Sequence, residues 1–397
     1  MRNITGSIVA GDDYFSRPAV ERRLKEHLAY DHCRIMAPRR FGKSSFVGEV
    51  ARQLRADGWL TVEFNVEGQV DEQAFWKELI SRLGLIGFNL PLTQRIVETL
   101  KSSFPTMSGK LNLPGAELEL NTAATDPVHT REQSNLNRLF HQVKQAPNPV
   151  LIALDEFPSL LLRLEQLGHG KQRVKDFLHW FRVVQQEFQP RLRWLVYGSV
   201  GLDSFAERNG LSAQINQLAP FSLGSFSPAE AHEFLIRLGI DNNLPVDEAV
   251  RQEILDRVGW PLPYFLQLVF HALKSLDLHP IGVSHVRQAI EKLCHPNSNS
   301  LFSTWHERLQ DQFVDEDRTL VLDILKQLCE VPRGLRRQEI HKRLMARRAG
   351  ADPDKLDENA RRLLDVLVRD GYLSESDGQY AFLSFLLRSY WQRRHGE

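Results

Sequence analysis

Over roughly the first 225 residues, short apolar runs rich in β-branched side chains alternate with longer amphipathic stretches. That alternation predicts an α/β fold, a parallel sheet covered by helices. Strands are expected at Cys33–Ala37, Leu60–Val66, Val150–Leu154 and Leu192–Tyr197, with helices at Ser44–Arg55, Glu132–Lys144 and Gln172–Phe188. One stretch breaks the rhythm. Lys110–Asn121 reads K-L-N-L-P-G-A-E-L-E-L-N, with period-two apolar positions on both sides of Pro114 and Gly115. It predicts a β-hairpin inserted into the core at about residues 109–122. From Ser227 the pattern turns helical, opening on S-P-A-E, where the serine can cap a helix and the glutamate three residues later can answer it. From about Asp317 the chain offers a helix, a turn at Pro332, Arg333 and Gly334, and two more helices. A strand pair, Gly371–Leu373 and Tyr380–Phe382, then flanks Asp377 and Gly378, and this order predicts a winged helix-turn-helix. The expected division is an α/β core over 1–225, a helical lid over 226–312 and a winged-helix unit over 313–397.

Composition narrows the class. The 397 residues are 42% hydrophobic and 25% charged, which suits a globular chain of two or three domains. There is no apolar run of the ~20 residues a membrane helix needs, so no membrane partner is expected. The opening residues lack the features of a secretory signal, and the cytoplasm is the default expectation. Cys33, Cys294 and Cys329 are odd in number and far apart, which argues for buried thiols over disulfides or a paired zinc site. Lysine plus arginine equals aspartate plus glutamate at 50 each, so nucleic-acid binding would have to be local.

The candidate chemistry begins at A-P-R-R-F-G-K-S, Ala37 to Ser44, which follows an apolar strand and opens a helix. This is the context of a phosphate-binding loop, in which backbone N–H groups of Pro38–Ser45, other than proline's, and the helix dipole face phosphate oxygens. Arg39, Arg40, Phe41 and Gly42 complete the loop; Lys43 supplies a mobile cation, and the Ser44 hydroxyl can ligate Mg²⁺. Ala37 stands where the general pattern has glycine and serves only if that position avoids a left-handed backbone. A second signal is V-L-I-A-L-D-E, a buried-strand pattern ending in two carboxylates. Asp155 can hold a Mg²⁺-bound water beside Ser44, while Glu156 can polarise the attacking water. The alternative for this pair is an acidic helix cap. A third strand ends in Gly198-Ser199; Ser199 can sense the terminal phosphate of ATP or act as a turn serine.

These residues carry a resemblance to the archaeal-type ATPases of the STAND class, relatives of AAA+ proteins and origin-recognition initiators. A-P-R-R-F-G-K-S-S resembles that group's Walker A motif, L-D-E its Walker B, and Y-G-S-V-G-L its sensor strand. The resemblance implies ATP and Mg²⁺ as cofactors, ATP hydrolysis, and an ASCE/AAA+-like sheet. G-W-P at Gly259–Pro261 resembles the G-x-P motif of the group's lid, which implies Pro261 near the nucleotide. Y-F-S-R at Tyr14–Arg17 resembles its lead-in segment, which implies Phe15 and Arg17 beside the adenine. No arginine finger is evident: Arg182 could reach a neighbouring copy in a homo-oligomer or simply be solvated.

The tail bears on partners. Arg333, Arg336, Arg337, Lys342, Arg343, Arg347, Arg348, Arg361 and Arg362 crowd it, but Asp352, Asp354, Asp357, Glu358 and Asp365 interrupt them. Two outputs are therefore expected to compete: a nucleotide switch acting on a protein partner, or an ATPase acting on double-stranded DNA.

Overall fold

The computed structural model describes residues 1–88, 109–113, 116–120, 128–199, 201–295, 301–313, 315–348, 350 and 352–395. Five strands form one parallel sheet: β1 (His32–Met36), β2 (Leu60–Asn65), β5 (Val150–Asp155), β6 (Leu192–Gly198) and β7 (Leu218–Pro220), in the order β2-β5-β6-β1-β7. All four predicted strands are present. Every residue of β5 and β6 is buried, as expected of the central strands of a sheet covered on both faces. The short β7 carries no period of its own, and its terminal Pro220 is tolerated because the strand lies at the sheet edge. Register sets Met36 opposite Gly198 and Leu154 opposite Val196, so β1, β5 and β6 end together on one edge. The strand ending in Gly198 thus lies between the strand feeding the phosphate loop and the strand ending in Asp155.

Helices Pro18–Tyr30 and Lys43–Ala56 cover one face of the sheet; Val128–Gln145, Phe157–Gln166 and Gly170–Glu187 cover the other. The inserted hairpin pairs β3 (Gly109–Leu113) with β4 (Ala116–Leu120), Leu111 opposite Leu118. Its turn at Pro114 and Gly115, and Asn121, lie outside the described residues. Helix Pro228–Asp241 begins with the expected capping box: Ser227 Oγ accepts from Glu230 N at 3.2 Å and the Glu230 carboxylate accepts from Ser227 N at 2.7 Å.

The chain's C-terminal elements are helix Asp315–Glu330, strand β8 (Leu335–Arg336), helices Arg337–Arg347 and Pro353–Arg369, hairpin strands β9 (Leu373–Ser376) and β10 (Gln379–Phe382), and helix Phe385–His395. The β8 strand, not foreseen, joins the hairpin as β8-β10-β9. Gly334 makes that possible: at φ 82°, a Cβ there would lie 2.2 Å from the Tyr380 carbonyl.

The buried side chains fall into two clusters. One is enclosed between β2, β5, β6 and the helices beyond Glu72. The other runs without a break from helix Lys43–Ala56 through the helices between Pro228 and Leu293 to Tyr372, Tyr390 and Trp391. Those helices and the C-terminal elements therefore share a core with the loop-bearing face of the sheet. The three cysteines are free thiols, Cys33 and Cys329 buried and Cys294 half-buried. Among the described residues no helix is long and apolar enough to cross a membrane.

Candidate nucleotide site

The loop between β1 and helix Lys43–Ala56 turns on two left-handed residues, Arg40 at φ 64° and Gly42 at φ 88°. Gly42 is the helix N-cap, where glycine takes that conformation without steric cost. Ala37 is not left-handed, which meets the condition its side chain imposes. Lys43 is buried and its ammonium donates to the carbonyls of Ala37 at 2.7 Å and Pro38 at 2.9 Å, so the cation folds over the loop it follows.

Ser44 Oγ donates to Asp155 Oδ2 at 2.6 Å, joining the helix start to the end of β5 across 111 residues. Burial raises the Asp155 pKa above the usual carboxylate range; the neighbouring Glu156 charge adds to this, while the Ser44 bond and Lys43 oppose it. Glu156 sits at the N-cap of helix Phe157–Gln166 in a left-handed conformation, φ 55° and ψ 37°, uncommon for a residue with a side chain. It does not cap. Its Oε2 accepts from Ser199 N at 3.1 Å and Ser199 Oγ at 3.0 Å, which sets aside the acidic-cap alternative. Gly198 permits this approach, since a Cβ there would stand 2.7 Å from Pro158 Cδ and 3.3 Å from Glu156 Oε2.

Above these groups lies a cavity of about 380 Å³. Gly42, Lys43, Ser44, Ser45 and Glu156 line one end; Phe15, Phe226, Phe234, Pro263 and Tyr264 line the other. Asp155 and Ser199 stand behind this lining, reached through Ser44 and Glu156. The N-terminal segment Ile4–Val9 forms a further wall, with Val9 N donating to Ser45 Oγ at 3.0 Å.

The remaining sequence-selected residues divide. Phe15 packs between Phe226 and Phe234, with ring centroids 5.3 and 5.4 Å away. Arg17 also lines the cavity, but its guanidinium is engaged by Glu230 at 2.9 Å and by the carbonyls of Leu223, Gly224 and Ser225. It ties the lead-in segment to residues 223–225 and to the start of helix Pro228–Asp241. Pro261 is outside the lining; its carbonyl accepts from Phe226 N at 3.1 Å, and the neighbouring Pro263 and Tyr264 face the cavity. Pro38 is also outside it, buried against Gly371. Arg39 and Phe41 both line the cavity, Arg39 pairing with Glu67 at 3.0 Å and Phe41 meeting Trp260 edge-on at 5.7 Å. Arg182 donates to the Ala213 carbonyl.

Sequence reasoning missed Glu21. Its buried carboxylate accepts from Tyr14 Oη at 3.0 Å, Ser16 Oγ at 3.1 Å, Arg17 N at 2.6 Å and Gln53 Nε2 at 2.8 Å. It ties the lead-in segment to helix Lys43–Ala56. In sequence it is one more acid in a helix's first turn, where the dipole alone would account for it.

A scan of protein-family models and a search of curated proteins each found no match. Solved structures do match. A Walker-type ATPase of Pyrococcus abyssi superposes with a TM-score of 0.62 at 19% identity, over 96% of this chain and 97% of that one. The ORC2 protein of Aeropyrum pernix, solved in ADPNP–ADP complexes, gives 0.51 at 12% identity over 98% of each chain. At such identities the likeness speaks to architecture, and the chain has the parallel α/β fold of the P-loop ATPases.

Proposed function

We propose that the cavity binds ATP with Mg²⁺ and hydrolyses it, and that the chain is a nucleotide-dependent switch of the STAND/AAA+-like kind whose output is a protein partner. The observation that carries the enzymatic part is the paired geometry at the strand ends: Ser44 bonded to Asp155, and Glu156 held by Ser199. Loop N–H groups and the helix N-terminus bind the phosphates. Lys43 exchanges its loop carbonyls for phosphate oxygens, anionic acceptors in place of neutral ones. Two hard oxygens on Ser44 and Asp155 suit Mg²⁺, which neutralises phosphate charge when bound. Ser199 occupies Glu156 Oε2, leaving Oε1 to orient the attacking water and take its proton. The aromatic end of the cavity suits a purine face.

The switch part rests on the contact between the loop and the C-terminal unit, which we read as a winged helix over about 313–397, with 226–312 as the lid. A Cβ on Gly371 would lie 2.7 Å from Trp260 Cη2 and 3.0 Å from Pro38 Cγ, so this C-terminal turn touches lid and phosphate loop together. Two-state coupling needs such a shared contact. A protein partner is favoured over double-stranded DNA because several tail arginines are engaged within the chain: Arg348 with Asp323 at 2.9 Å, Arg362 with Asp317 at 2.7 Å and Arg337 with Asp357 at 3.8 Å.

Steady-state ATP hydrolysis by wild type and Glu156→Gln, with and without double-stranded DNA, tests both parts. We expect slow turnover indifferent to DNA, reduced by roughly 10²–10⁴ in the variant. Wild-type turnover in Glu156→Gln would remove Glu156 as the base, and DNA stimulation would transfer the output to nucleic acid. Gly371→Ala against Gly378→Ala tests the coupling. Both glycines have φ near 75°, but Gly378 has nothing within 4 Å of its Cβ position, so only Gly371→Ala should change nucleotide affinity.

A further inference from the structure

Arg40 does more than the phosphate loop needs of it. Its backbone is part of the loop, while its guanidinium carbon stands 4.5 Å from the centroid of the Tyr264 ring. Arg40 Nη1 also donates to the Thr5 carbonyl at 3.2 Å. Thr5, Arg40 and Tyr264 all line the cavity, and they come from three separate segments: the N-terminal wall, the loop and lid helix Pro263–Lys274. Tyr264 is itself fixed, buried with its hydroxyl donating to the Leu301 carbonyl at 3.1 Å. The same wall is tied to the same lid helix a second time, by Asn3 Nδ2 donating to the Gln267 carbonyl at 3.1 Å.

We propose that Arg40 is a strap: by stacking on Tyr264 and bonding Thr5, it holds the lid and the N-terminal wall to the phosphate loop and sets how long a bound nucleotide stays. The inference rests on the nucleotide-site reading and adds to it the residue that governs release. A planar guanidinium is suited to this, because it stacks on an aromatic face while its edge still donates hydrogen bonds. A left-handed loop residue with a long side chain fits the same role: the backbone costs some conformational energy at Arg40, and the side chain gains two contacts across the cavity mouth. Arg40 is a positioning residue; Lys43, Ser44 and Glu156 carry the chemistry. Its loss should therefore show in how long nucleotide stays.

Release of a fluorescent ADP analogue from the full chain, followed by stopped flow, tests the strap. Arg40→Ala and Tyr264→Leu should each speed release roughly tenfold. The double variant should release well short of the product of the two single effects, because both remove the shared stack. Arg40→Lys should recover less than half of the effect, since an ammonium lacks the stacking plane. Tyr264→Phe keeps the ring but not the bond to Leu301, and should release much closer to the wild-type rate than Tyr264→Leu. Nucleotide held by wild type but released equally fast by Arg40→Ala, or single effects that multiply in full, would overturn the strap alone. A wild-type chain that holds no nucleotide overturns the site reading, and the strap with it.

Discussion

The two ends of the cavity are built in opposite ways. At the phosphate-facing end, each functional group sits at the end of a strand or the start of a helix: Gly42, Lys43 and Ser44 after β1, Asp155 and Glu156 at the end of β5, Ser199 after β6. Three parallel strands in register bring them together with little further help. At the aromatic end, the wall is assembled from residues 4–17, 223–234 and 263–267, and its contacts join residues far apart in the chain, as Arg17 joins Glu230 over 213 positions. The first end is set by sheet geometry; the second depends on side chains that bridge segments far apart in the chain.

Breaking the phosphate end should have the largest effect. Lys43→Ala removes a buried cation, and ATP affinity measured by titration calorimetry should fall on the order of a hundredfold or more, with the melting temperature nearly unchanged. Breaking the aromatic end should reverse that pattern. Glu21→Ala leaves the hydroxyls of Tyr14 and Ser16 and the Arg17 N–H without this acceptor, and the Gln53 amide with Glu49 alone. Denaturant unfolding should show a loss of about 3–5 kcal/mol, and calorimetry a weaker but still measurable nucleotide site. An undisturbed fold in Glu21→Ala would mean that the lead-in segment is held by its aromatic packing alone.

The smallest effect separates the fold from both ends. His32, at the start of β1 and away from the cavity, is buried; its Nδ1 accepts from Trp194 N at 3.1 Å and its Nε2 lies 3.1 Å from the Gln185 carbonyl. Burial lowers its pKa to about 4 from 6.5. Between those values the unfolded chain binds a proton that the folded chain refuses, so acidification favours unfolding. This contribution is complete above pH 6.5, is lost as pH falls toward 4, and is flat below. Its size is on the order of 3 kcal/mol. Urea midpoints of wild type and His32→Gln compared between pH 7 and pH 4 should converge as pH falls, and a constant gap between them would remove His32 from the account.

Much of this molecule is legible in its residues, for a definite reason. Period and polarity mark each central strand, and the loop, the paired carboxylates and Gly198-Ser199 follow strands at fixed offsets, so local geometry commits them to one edge. The capping box at Ser227 is equally local. Other features carry no local signal. The two-residue β8 forms only because β10 offers a partner, and β7 because β1 offers an edge. Pro261 and Arg17 were placed by resemblance to a motif, but the packing of the lid turned one away from the cavity and engaged the donors of the other. The arginines of the tail could be counted in sequence, but not their partners.

Local sequence sets the central strands, the loop and the identity of the charged groups, because each depends on residues within a few positions of one another. Folding of distant segments onto each other brings Ser199 to Glu156, Glu21 to Gln53, Arg40 to Tyr264 and Gly371 to Pro38. Such contacts join segments whose separation along the chain says nothing of their distance in space, and each depends on the shape of everything packed around it.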